Sequence, residues 1–136
     1  RNQMDDSVEQ MIEQCAKSSH AGALSFGDAV GILASLGVES YYADYRLLAI
    51  IYYLHNDSAY TFKLQAPDLK IAQIFDARAL QAAIRGAQRG EVNYPQFVQL
   101  AMAAGCVSYS VWITGRHVSY FGRRGEVHIE PFPDAQ

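Results

Sequence analysis

Apolar positions recur along this chain with two periods. Val8, Met11, Ile12 and Cys15 fall at the i, i+3, i+4, i+7 spacing of one helix face, with Glu9, Glu13 and Lys17 opposite. The pattern predicts a helix over 5–20, stopped by Gly22, since glycine adopts a left-handed backbone cheaply. Ser25 reads as the N-cap of a second helix over 26–36, with Asp28 placed as in a capping box and Gly37 as the stop. Its buried stripe is Phe26, Ala29, Val30, Leu33 and Leu36. The period then shortens. Runs rich in tyrosine and β-branched residues begin at Val38, Ile50 and Ala59 and predict strands, with a turn at His55, Asn56 and Asp57.

Pro67 and Asp68 break the pattern, and 69–75 reads as a connector. Asp76 caps a third helix over 77–89, with Leu80, Ala83, Ile84 and Ala87 as its stripe and Gly90 as its stop. Asn93 caps a fourth, with Gln96 reaching back and Pro95 tolerated in the first turn, and Gly105 ends it. Its inward residues are Phe97, Val98, Ala101 and Ala104. Strands are predicted at 107–114, 117–121 and 126–132, joined by Thr114–His117 and Gly122–Gly125.

The two halves resemble each other. A shift of 68 residues lays Gly22 on Gly90, Ser25 on Asn93, Gly37 on Gly105, Ser40-Tyr41 on Ser108-Tyr109 and Tyr52 on Tyr120. Caps fall on caps and glycine stops on glycine stops. The expectation is one α+β domain over 1–136, an internally duplicated helix–helix–three-strand unit (1–68 and 69–136) with antiparallel strands and helices on one face of the sheet.

Composition adds bounds. Of 136 residues half are apolar and 18% are charged, as in a globular domain large enough to bury a core. A net charge of −3, and no lysine- or glycine-rich segment, argue against nucleic acid as partner. No apolar run approaches the ~20 residues that span a bilayer, and no charged-then-apolar leader opens the sequence. Cys15 and Cys106 sit among apolar residues and read as buried thiols of a reducing compartment, so the expected location is the cytoplasm.

The candidate site comes from strand register. A four-residue loop at Gly122–Gly125 sets Ser119 against His128 and His117 against Glu130. Tyr109, Val111, Ile113, Val118, Tyr120, Val127 and Ile129 then share a core face. Ser110, Trp112, His117, Ser119, Phe121, Glu126, His128 and Glu130 share the other, with Arg116, Arg123 and Arg124 at the turns. Ser119 with His128 would suit hydrolysis, but no strained elbow or oxyanion loop accompanies them. His117, His128 and Glu130 are residue types that suit zinc, without HxH or HExxH spacing, so no metal and no cofactor is assigned. A binding face fits better, with Trp112 and Phe121 for area and Arg116, Arg123, His117, Ser119, His128 and Glu130 for orientation. The plainer reading is a solvated face with cross-strand His–Glu pairs. In the first half the equivalent face holds Tyr42, Asp44, Ile51, Tyr53, Tyr60 and Phe62. That is too apolar to leave wet, so a homodimer through Tyr42, Tyr53, Tyr60 and Phe62 is expected.

Phe75-Asp76, Ala83-Ile84-Arg85, Gly90-Glu91, Tyr94-Pro95, Met102–Val107, Thr114-Gly115-Arg116, Tyr120–Arg123 and Phe132-Pro133 together resemble the YbcV-like family. So does Gly37–Tyr41 in the first half. These are small bacterial and prophage-borne proteins of unknown function, some labelled phage envelope protein. The resemblance covers most of 25–133 and implies a compact α+β fold, with no catalytic residues to carry over. Arg46–Ala49 departs from the polar turn it would imply. The expectation is therefore a non-catalytic binding or protein-interaction domain, most simply a homodimer with a protein or small-molecule partner. The alternative is a small enzyme or ligand-binding protein using the His117, Ser119, His128 and Glu130 face.

Overall fold

Four helices and six strands form where the two periods place them. The structure, a computed structural model, describes residues 4–65 and 69–133; Pro67 and Asp68 lie outside them. Helix α1 spans Asp6–His20 and α2 Phe26–Ser35. Strands β1, β2 and β3 follow at Val38–Asp44, Ala49–Leu54 and Ala59–Lys63. The same order returns as α3 Ala77–Gln88, α4 Tyr94–Ala103, β4 Cys106–Trp112, β5 His117–Gly122 and β6 Val127–Pro131. The 68-residue shift read from the sequence carries each strand of the first set onto its counterpart, bound for bound.

The caps form as their side chains dictate. Ser25 accepts from the Asp28 amide, Asp76 from that of Ala79, and Asn93 exchanges both bonds of a capping box with Gln96. Gly37 and Gly105 take left-handed φ values of +87° and +84° between a helix and the strand after it.

The strands make one antiparallel sheet in the order β3-β2-β1-β4-β5-β6. Its centre is the β1–β4 pair, with Tyr41 opposite Val111 and Ala43 opposite Tyr109. Tyr41, Ile50, Tyr52, Tyr109, Val111, Val118 and Tyr120 point to the helix side and are buried there with Ile12, Leu33, Leu80 and Ile84. Among the described residues no helix lies on the opposite face.

Both registers expected in the second half are corrected. A turn at Thr114–His117 would set Ile113 against Val118 and Trp112 against Ser119. Strands β4 and β5 pair Trp112 with His117 and Ser110 with Ser119, around a loop of Ile113–Arg116. That is a two-residue displacement, so side chains keep their faces. Strands β5 and β6 pair Tyr120 with His128 and Val118 with Glu130. The turn holds three residues, Arg123 to Gly125. The Gly122 amide bonds the Glu126 carbonyl, and Gly125 adopts φ +83°. This is the three-residue hairpin with a left-handed glycine. Its one-residue displacement turns β6 over. Val127 and Ile129, expected in the core, are half exposed, while Glu130 is only 7% exposed.

In the β2–β3 hairpin the turn at His55–Asp57 forms as expected, but the faces assigned to Tyr60 and Phe62 are corrected. Ile50 pairs with Phe62 and Tyr52 with Tyr60, so Tyr60 and Phe62 lie on the helix face, away from Tyr42 and Tyr53. The Tyr60 hydroxyl donates to Glu13 of α1 at 2.6 Å. The turn at 45–48 is held by Asp44, whose carboxylate accepts from the Arg46 and Leu47 amides, and Ala49 already belongs to β2.

The two helix-ending glycines separate conformational from steric demand. A Cβ at Gly37 would meet nothing within 4 Å, whereas at Gly105 it would lie 2.3 Å from the Ile74 carbonyl oxygen. Gly37→Ala should cost about 1–2 kcal/mol for the left-handed backbone alone. Gly105→Ala should cost clearly more, because the connector must also move. Urea unfolding of the two variants measures the difference, and equal losses would contradict the close approach.

Candidate functional site

The tyrosines of the helix-side face stand opposite small residues. Ala16 of α1, Ala29 of α2 and Ala87 of α3 face them across the interior, with Gly22 and Gly90 at the adjoining turns. Large side chains on the sheet and small ones on the helices leave a cavity of about 340 Å³ between the layers. Ligand sites in proteins commonly occupy about 300–1,000 Å³. Tyr41, Tyr52, Tyr94, Tyr109 and Tyr120 line it. Its mouth lies where the α1–α2 and α3–α4 turns approach the end of β6, beside exposed Ser25, Gln88 and Asn93. Phe26 and Phe132 meet there edge to face at 5.5 Å.

The five tyrosine hydroxyls fall into two groups. Those of Tyr94 and Tyr109 bond each other at 2.8 Å. Those of Tyr41, Tyr52 and Tyr120 bond no described residue, although the three side chains are 6%, 3% and 7% exposed. Burial raises all five above the ordinary tyrosine pKa, that of Tyr94 to about 12. They remain neutral hydroxyls, able both to donate and to accept. Unlike the sealed hydroxyl of Tyr45, those of Tyr41, Tyr52 and Tyr120 are not fully buried, so they are free to bond a polar group that enters the cavity.

Each end of the cavity carries an ionisable side chain. At one end is Glu130, bonded by Arg85 through Oε2 and by His128 through Oε1 at 3.3 Å. Burial alone would raise its pKa, but the hydrogen bonds from Arg85 and His128 outweigh it and leave the carboxyl below its ordinary value. At the other end His20, the last residue of α1, packs between Phe62 and Tyr94 at 5.6 and 5.1 Å. Its Nδ1 is buried without a partner, and burial lowers its pKa.

The structure divides the residues singled out from the sequence. Trp112, His117, Ser119 and Phe121 share the open sheet face, where the Trp112 Nε1 donates to Ser119 Oγ at 3.1 Å. The buried hydroxymethyl groups of Ser40, Ser108 and Ser110 lie on that face too. His128 and Glu130 lie on the helix side. Ser119 therefore stands opposite Ile129, and the Ser119–His128 pair does not form. The trio of His117, His128 and Glu130 is split across the sheet, and among the described residues no group of three His, Cys, Asp or Glu side chains is placed to hold a metal. Arg116 stacks on Phe132 at 5.4 Å, and Arg123 donates to the Ile71 and Ala72 carbonyls of the connector.

Sequence reasoning passed over His20 and Tyr94 and took Tyr41, Tyr52, Tyr109 and Tyr120 as ordinary strand residues. The available signal was Ala16, Ala29 and Ala87 on the buried stripes of three helices that pack on a tyrosine-rich sheet. Tyr45 differs from the cavity tyrosines, since it is 2% exposed and its hydroxyl has neither partner nor cavity.

A family model described as a protein of unknown function (DUF1398) matches residues 24–131. A comparison with curated proteins finds no match. Among the described residues no helix is long and apolar enough to cross a membrane.

Two stability predictions follow from the buried polar atoms. The folded-state pKa of His20 lies below that of the unfolded chain. Stability should thus be complete above the ordinary histidine pKa of about 6.5 and fall as pH drops through and below it. Urea midpoints between about pH 7.5 and 5.5 should decline for the native chain and much less for His20→Phe; parallel declines would contradict this. Tyr45→Phe removes a hydroxyl that bonds nothing, so its thermal midpoint should equal or exceed that of the native chain. A drop of several degrees would reveal a partner for that hydroxyl.

Proposed function

We propose that this chain, which belongs to the DUF1398 family of proteins of unknown function, is a small-molecule-binding protein whose ligand occupies the tyrosine-lined cavity. The observation that carries this reading is the set of hydroxyls of Tyr41, Tyr52 and Tyr120, which line one space, bond no described residue and, unlike that of Tyr45, are not sealed from it. A well-packed core would exclude such groups or pair them. The ligand is compact, largely apolar or aromatic, and carries at least one hydrogen-bonding group. The Ser119–His128 pair that the sequence suggested for hydrolysis is split across the sheet, and the reading is therefore of binding. The bacterial or prophage origin, the cytoplasmic location and the duplication of a helix–helix–three-strand unit are part of the same proposal. They are supported by the family resemblance and by the 68-residue correspondence of elements.

The open sheet face favours a second reading beside the first. Tyr53 and Trp112 are each 38% exposed, and Tyr42, Ile51 and Phe121 lie on the same face. Apolar surface of this kind commonly marks a protein contact. The proposed partner is a second copy meeting this face about a twofold axis, now without Tyr60 and Phe62. Sedimentation equilibrium should show a dimer that Trp112→Glu dissociates. A monomer throughout the concentration range would refute it.

For the cavity, millimolar 2-phenylethanol should raise the thermal midpoint by mass action. Ala29→Phe, which fills the space from α2, should abolish that shift while the chain stays folded. An unchanged shift in Ala29→Phe would place the binding elsewhere and defeat the proposal.

A further inference from the structure

The ends of the cavity differ in charge. Of the side chains lining it, Glu130 alone carries a formal charge at neutral pH; no lysine or arginine is among them, and burial disfavours the charged form of His20. Glu130 is 7% exposed and both of its carboxylate oxygens are held by side chains that do not line the cavity. Arg85, whose side chain is 44% exposed, holds one oxygen, and His128 holds the other. A carboxylate has about four acceptor directions, and these two donors leave some of them free. The remaining walls are tyrosine rings. Tyr109 and Tyr120 stand 5.7 Å apart, centroid to centroid, and Tyr41 and Tyr52 5.2 Å apart. Aromatic faces are electron-rich and attract cations within about 6 Å.

From this arrangement we infer that the ligand carries a protonated amine, which bonds the Glu130 carboxylate while its apolar body lies among the tyrosine rings. The inference rests on the cavity reading above and adds the class of head group. An anionic ligand would meet Glu130 and the negative ring faces, while the nearby Arg85 guanidinium is already engaged by that carboxylate and does not line the cavity, so carboxylates and phosphates are disfavoured. A neutral alcohol would bond the tyrosine hydroxyls but gain no charge-assisted bond. The lowered pKa of Glu130 keeps the acceptor ionised over the pH range in which an aliphatic amine is charged. Arg85 and His128 are positioning residues, since they hold the carboxylate and do not line the cavity.

The test uses three probes with one body and different heads, namely 2-phenylethylamine, 2-phenylethanol and phenylacetate, titrated calorimetrically into the full chain. The amine should bind tightest, and phenylacetate should bind at least about tenfold more weakly than the amine. Glu130→Gln should weaken the amine about tenfold, to the level of the alcohol, while leaving the alcohol nearly unchanged. Phenylacetate binding as tightly as the amine, or an amine preference that survives Glu130→Gln, would overturn the head-group assignment and leave the cavity reading intact. Binding of none of the three would overturn the cavity reading itself. If Glu130→Gln fails to fold for want of the Arg85 bond, the order of the three probes on the native chain decides the matter alone.

Discussion

Everything in this molecule depends on the pairing of β1 with β4. It joins the two helix–helix–three-strand sets into one sheet, and its register puts Tyr41 and Tyr109 on the same side as Val111 and Ala43. Once that side is apolar, all four helices must cover it, because it is the surface whose burial stabilises the fold. The partner pairs β1–β2 and β4–β5 then extend the tyrosine surface outward through Tyr52 and Tyr120. A displacement of one residue at the centre would send the tyrosines to the open face and leave the helices without a core.

The cavity is a consequence of how two helix pairs share one sheet. Helices α1 and α2 pack together, as do α3 and α4, and α1 also meets α4. Where the pairs meet, the helices present alanines, and the turns that end α1 and α3 present glycines. The large tyrosines below are not matched by large residues above. Packing of this kind gives up dispersion contacts that a filled core would have. It also leaves three hydroxyls without protein partners. A fold that needed only stability could use phenylalanine at these positions, and the retained oxygens, together with the anchored Glu130, are what distinguish a site from a packing defect.

Much of the fold was legible in the sequence because its signals are local. Ser25, Asp76 and Asn93 announce helix starts, and the four glycines at 22, 37, 90 and 105 announce their ends. Turn length was less legible. Gly122-Arg123-Arg124-Gly125 fits a four-residue loop as well as a three-residue one, and the difference is decided by Gly122 joining the strand and Gly125 taking the left-handed position. That one residue inverted β6 and moved His128 and Glu130 from the open face to the interior. Tyr60 and Phe62 were misplaced for another reason, since the expected turn at His55–Asp57 does form and its register sets them opposite Tyr52 and Ile50, on the helix face. The cavity was not legible, because a void arises from side chains distant in sequence. Ala16, Ala29 and Ala87 look like ordinary small core residues until Tyr41, Tyr52 and Tyr120 are set opposite them.

The central claim is that the interior between sheet and helices is the place where this protein meets its ligand. Amide chemical-shift mapping with 2-phenylethylamine tests it most directly, since it reports location without presuming affinity. The account predicts that perturbations concentrate at Tyr41, Tyr52, Tyr120 and Glu130 and at the turns around Gly22 and Gly90. Perturbations confined to the Trp112 and Tyr53 face, or none at saturating probe, would contradict it.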